Sequence, residues 1–319
     1  MWTRVSATRA NSRTKDSVAM TTTTDAQAAP LTDMAPRQSR SLMSDAWNRL
    51  LGSWNGRVGL VMITVTVLIG LLAPVVWPYD PTIDSNLAES RMSPSLQHPF
   101  GTDRLGRDML RRIVHGTRVS LLIGFVVVFA SGAVGIFLGL LAGYFGGPLD
   151  SVVMRLMDIL LAFPAILLAI AIVAVRGPSL ENTMLAVAIV SIPGYARVVR
   201  SIVLSVRERD YVDAARSIGV SDGRIMLVHI LPNSFSPIIV QMTLGVGGAI
   251  LFAAALGFLG LGVQPPTPEW GAMISDAIPF LRQSPYLVFF PGMAIMLTVL
   301  GFNLLGDGLR DALDPQLRK

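Results

Sequence analysis

The sequence predicts an all-α membrane protein that crosses the bilayer six times. Three observations predict it. Of 319 residues, 52% are hydrophobic and 15% charged, with a mean hydropathy of +0.56, whereas a soluble domain carries about 25% charged residues. Apolar windows of about 20 residues recur, the length that crosses about 30 Å of hydrocarbon at about 1.5 Å per residue. Arginines crowd into particular connections between those windows. A single water-soluble globule and long-range disorder are both excluded.

Residues 1–40 carry a threonine tract at 21–24 and no apolar periodicity, so they read as a disordered cytoplasmic tail. No apolar stretch follows the early arginines, which argues against a signal peptide. Met20 is a second candidate start. Residues 41–56, with Trp47 and Trp54, suit an interfacial helix. The apolar windows are 58–77, 119–145, 156–175, 182–196, 235–262 and 286–305. The fourth is short unless it continues past Arg197. The chain divides into a tail (1–40), an interfacial helix with the first transmembrane helix and outer segment (41–115), a core transmembrane domain (116–312) and a cytoplasmic tail (313–319).

Orientation follows from the basic residues. The connection between spans four and five holds Arg197, Arg200, Arg207, Arg209, Arg216 and Arg224. With six spans it shares a side with both termini, which places all three in the cytoplasm. The connection after span one resists this reading, with Arg91, Arg104, Arg107, Arg111, Arg112 and Arg118. Asp80, Asp84, Glu89, Asp103 and Asp108 offset them, and parity places that segment outside.

Several chemistries are missing. The chain has no cysteine, so it forms no disulfide, iron–sulfur cluster or thiolate zinc site. His98, His115 and His229 lie too far apart for an HExxH metal site. The only lysines are Lys15 and Lys319, and neither completes a GxxxxGK[ST] loop for ATP. The net charge of +5 suits a cytoplasmic face meeting anionic lipid better than nucleic acid. An ion-coupled carrier needs charged groups at membrane depth. Asp158 is the sole acid within the windows, and pairing with Arg155 one turn before explains it more simply. Transport energy must then enter from another chain. Gly135, Gly139 and Gly143 form two GxxxG steps, and Gly245, Gly247 and Gly248 a second small-residue patch. Both allow close helix contact, within this bundle or with a second membrane subunit. Met242 and Phe252 are candidates for lining a path or for packing.

The connection 197–230 carries the most information. Residues 208–218 suit a helix with Tyr211, Val212, Ala215 and Ile218 on one face. Asp210 and Asp213 suit its first turns and Arg216 its last. Gly219 suits the left-handed position beyond a helix end. Ser221 or Asp222 can cap a second helix that runs to Leu231 and stops at Pro232. An exposed, partly apolar helix pair of this kind suits docking.

The run Asp213-Ala214-Ala215-Arg216-Ser217-Ile218-Gly219, then Ile230-Leu231-Pro232, resembles the EAA loop of permease subunits of bacterial ABC importers. The usual glutamate is Asp213 here, and His229 replaces an expected isoleucine. Further blocks resemble the second permease subunit of the dipeptide, oligopeptide and nickel importers. They are His98-Pro99-Phe100-Gly101-Thr102-Asp103 with Gly106-Arg107-Asp108; 256–262 with Pro265-Pro266 and Trp270-Gly271; and 302–311. The resemblance spans nearly all of 45–319.

It implies a non-enzymatic subunit of the bacterial cytoplasmic membrane with a coupling helix between spans four and five. Asp213, Ala214, Ala215, Arg216, Gly219, Leu231 and Pro232 would meet the ATPase. It also implies a second permease, two ATPase subunits that bind ATP and magnesium, and an extracytoplasmic binding protein. Peptides are the expected cargo, with nickel or another chelated metal as the alternative. In the 263–285 connection, Trp270 suits a membrane-interface anchor, while the resemblance implies a loop that meets the binding protein or closes the path.

Overall fold

A computed structural model describes residues 42–80 and 83–313. The tail 1–40 with Met20 and Lys15, and residues 314–319, lie outside the described residues. Helix α1 (Leu42–Gly52) leads to α2 (Trp54–Val76), the first span, which Ser53 caps by accepting from Gly56 N. A connection with one 3₁₀ turn, Leu87–Glu89, then reaches α3 (Met109–Phe145). Next come α4 (Gly147–Ala162), α5 (Ala165–Arg176), α6 (Leu180–Val206) and the short α7 (Asp210–Ser217). A single turn, α8 (Asp222–Arg224), runs through a π-helical turn at Ile225–Ile230 and a 3₁₀ turn at Pro232–Ser234 into α9 (Phe235–Phe258). Then α10 (Trp270–Ala277) precedes α11 (Tyr286–Leu313).

Among the described residues, five helical stretches are long and apolar enough to span a membrane, and six if α4 and α5 count as one bent span. Connections sort to two ends. The end holding α10 also holds the segment after α2: Tyr286 donates to Met92 O (2.9 Å) and Arg91 donates to Gln283 (2.8 Å). We term it the upper end. At the lower end lie α1, α7 and the close of α11.

Three expectations about elements change, and one open point, the length of the fourth span, is resolved. The third window is broken: α4 and α5 meet at 86°. Pro164 has no N–H to continue the helix and pushes Phe163 into extended geometry (φ −91°, ψ 137°). The fourth span runs through Arg197 to Val206, because arginines near a helix end reach water past the apolar stem. Pro232 does not stop its helix. Leu231 N bonds back to Met226 O (2.8 Å) in π fashion, and Leu231 stays helical at φ −57° and ψ −46°. The 263–285 connection contains α10, capped by Glu269, whose two carboxylate oxygens accept from Gly271 N and Ala272 N at 2.8 Å each.

Close packing centres on the glycines. Beside Gly139 a methyl group would stand 2.5 Å from Ala196 O and 2.9 Å from Val199 Cβ, and beside Gly143 it would meet Val203 Cβ at 2.8 Å. The GxxxG steps therefore serve α3 against α6 inside this chain. Gly247 likewise meets α11 at Val299 and Phe302, whereas Gly248 faces open space. Met242 lies against Gly132, and both Met242 and Phe252 pack on the buried core. Trp270 is 1% exposed and donates to Ile113 O at 3.1 Å. It is a core residue of α10 that packs on α3, not an interface anchor.

Candidate functional site

At the lower end, α7 begins with Asp210 and Asp213 and closes with Arg216, charges that complement the helix dipole. Gly219 adopts φ +80°. Its N–H bonds to Arg216 O (3.0 Å) and the Val220 N–H to Ala215 O (3.1 Å). This paired closure requires a left-handed residue just past the helix. Val212 and Ala215 face inward, into a cluster with Leu140, Val199, Val203, Ile225 and Ile230. Tyr211 and Ile218 do not share that face: Ile218 is 81% exposed and Tyr211 is exposed as well. The expected single apolar face is split between an anchoring side and an outward side.

The Asp213 side chain is 66% exposed and takes Arg216 at 3.1 Å. Ala214 is exposed and Ala215 buried. Together with Gly219, these residues form one compact surface. Leu231 and Pro232 stand apart at the base of α9, Leu231 packed on the lower cluster and Pro232 exposed. Leu227 and Val228 between them are exposed apolar residues. A cleft of about 390 Å3 lined by Arg207, Glu208, Asp213 and Arg216 opens beside α7.

Sequence reasoning missed the support beneath this surface. Tyr144, in the last turn of α3, donates to Asp222 Oδ1 at 2.5 Å, and Arg216 stacks over its ring at 5.4 Å. Arg207 donates to Gly143 O (2.8 Å) and Tyr144 O (3.3 Å). These partners lie more than 60 residues apart in sequence, so no local pattern announces them.

The upper end explains the arginine-rich segment that resisted the charge rule. Asp103 is buried and accepts from Leu105 N, Arg107 N and Arg107 Nε, and from Arg112 Nη1 at 2.6 Å. Arg104 and Arg111 lie 3.9 Å from Asp276 and Asp84, and Arg91 stacks on Phe280. Arginines consumed by tertiary contacts say little about sidedness. Glu269 is almost wholly buried, and burial holds its carboxyl above the ordinary glutamate range despite two N–H donors. Asp158 pairs not with Arg155 but with Arg197 at 2.6 Å, and its side chain is 63% exposed. A buried coupling acid is therefore not found there. Among the described residues, no group of three or more His, Asp or Glu could hold a metal ion.

Residues 135–319 match the family described as the binding-protein-dependent transport system inner membrane component. The chain belongs to that family. Residues 41–99 match the N-terminal transmembrane domain of oligopeptide transport permease C. The permease is 54% identical to the dipeptide transport system permease protein DppC of Alkalihalophilus pseudofirmus, over 82% of this chain and 86% of that one. It is 47% identical to the di/tripeptide permease DppC of Pseudomonas aeruginosa, over 87% and 93% of the two chains. A chain of the inward-facing MetNI methionine ABC transporter shares its fold, with a TM-score of 0.55 and 18% identity, over 65% of the permease and 98% of that chain. The permease is thus a multi-pass inner-membrane subunit of an ABC importer and not itself an enzyme. Such permeases work with a separate ATPase subunit and a substrate-binding protein.

Proposed function

We propose that this permease forms one half of a translocation path for di- and oligopeptides. It pairs with a second, different permease, with two ATPase subunits below and a binding protein above. The lower end, with both termini, faces the cytoplasm. Helix α7 is the coupling helix, with Asp213, Ala214, Ala215, Arg216 and Gly219 at the ATPase and with Leu231 and Pro232 at the root of the span that follows. Peptide cargo is carried over from the relatives named for dipeptides and tripeptides.

One observation supports the coupling role above others. Helix α7 is anchored by Val212 and Ala215 while it presents Asp213 and Ile218 outward. A loop that only connected two spans would not need both a buried anchor and an exposed apolar tip. When ATP draws the ATPases together, force on α7 passes into the lower cluster and tilts α3 and α6 as packed bodies. Access then switches between the two sides of the membrane, and this chain makes or breaks no covalent bond.

Charge reversal tests the contact. Asp213→Arg should reduce recovery of the ATPase subunits with the purified permease pair by about tenfold, the scale of a lost charge-assisted contact of about 1.5 kcal/mol. Unchanged recovery would place the contact elsewhere on the lower end.

A further inference from the structure

We propose that Tyr144 is the positioning residue that carries displacement of α7 into α3, a role that rests on reading α7 as the coupling helix. Three separate pieces of the chain converge on the last turn of α3. Arg207, ahead of α7, holds the Gly143 and Tyr144 carbonyls. Arg216, on α7, lies over the Tyr144 ring. Asp222, beyond α7, accepts from the Tyr144 hydroxyl at 2.5 Å. Contacts before, on and after α7 thus bracket it against the last turn of α3, two of them on the buried Tyr144 side chain.

The other side of that turn is equally constrained. Gly143 and Gly139 bring α3 so near Val203, Val199 and Ala196 that not even a methyl group would fit between the helices. Helices α3 and α6 therefore move together. Beyond Tyr144, Gly146 and Gly147 both have positive φ (66° and 55°), which turns the chain into α4 just after this contact. Displacement of α7 has a stiff route into the α3–α6 pair through the phenol. The two contacts differ in kind. The hydroxyl–carboxylate bond is directional and charge-assisted, whereas the guanidinium–ring contact tolerates sliding. The hydroxyl is therefore the part that transmits position.

The test uses the assembled importer in proteoliposomes and measures peptide transported per ATP hydrolysed. Tyr144→Phe keeps the ring, its packing and the Arg216 contact. It should leave subunit assembly intact and lower the transport-to-hydrolysis ratio by about tenfold, as for one lost bond to a charged group. Asp222→Ala should give the same fall, Asp222→Asn should retain most of the ratio, and the double variant Tyr144→Phe/Asp222→Ala should fall no further. An unchanged ratio in Tyr144→Phe, or independent losses that multiply, would overturn the proposal. A cysteine at the exposed Ile218, cross-linked to one introduced on the ATPase, separates the two ideas. Cross-linking with an unchanged ratio defeats the Tyr144 role alone. Absence of cross-linking in the otherwise unaltered importer defeats the coupling-helix reading and this role with it.

Discussion

Gly219 and Asp103 are held by constraints within their own turns. Gly219 follows a helix whose charges run from acid to base, and the structure gives it φ +80°. Asp103 likewise serves its own turn between Gly101 and Gly106, with φ of 75° and 74°. Residues whose partners are distant were not readable. Asp158 has a neighbour one turn away in Arg155, yet α6 supplies Arg197 at 2.6 Å. Nothing near Tyr144 in sequence points to Asp222. The local reading at Gly219 yields a direct expectation. Gly219→Val should strain the left-handed turn by about 1–3 kcal/mol and cut transport severalfold, with membrane insertion and expression unchanged. Transport assays on vesicles with equal permease content would check it, and full activity would mean that the turn does not position α7.

Among elements, apolar windows find the candidate spans and miss two boundaries. They cannot see that Pro164 divides an uninterrupted apolar run into α4 and α5 at 86°, since proline adds no charge to the window. They leave the fourth span open at Arg197, and the span does continue, with Arg197 and Arg200 bound by Asp158 and Asp150 on α4. They also end a helix at Pro232, where a π turn keeps the backbone continuous. The glycine steps left two outcomes open, contact within the chain or with another subunit. In the folded chain Gly135, Gly139 and Gly143 lie against α6. That contact makes an element-level expectation. Gly139→Leu must push α3 away from Ala196 and Val199, so it should destabilise the purified permease by about 1–3 kcal/mol. Thermal unfolding in detergent would detect this as a lower midpoint. An unchanged midpoint would mean that the two helices part there without penalty.

For the whole molecule, the count of crossings and the family came from composition and motif order, whereas sidedness depended on a charge rule that one segment appeared to break. The structure gives most of those arginines partners within the fold. Arg107 and Arg112 share the buried Asp103, Arg91 lies on Phe280, and Arg104 and Arg111 approach Asp276 and Asp84. Free arginines bias topology because they resist translocation; Arg107 and Arg112 are buried on an acid, while Arg104 and Arg111 stay 48% and 41% exposed. The lower end holds the six-arginine connection 197–230, and with six spans it shares its side with Leu42 and Leu313 at the two ends of the described chain. The lower end should therefore be cytoplasmic. The cysteine-free chain makes this measurable with one new thiol at a time. Ser221→Cys, exposed beside α8, should react with a membrane-impermeant maleimide only after the cells are permeabilised. Thr267→Cys, exposed at the upper end, should react in intact cells. The opposite pair of results would invert the permease, place α7 where no ATPase could reach it, and leave the exposed Asp213 and Ile218 without a motor to meet.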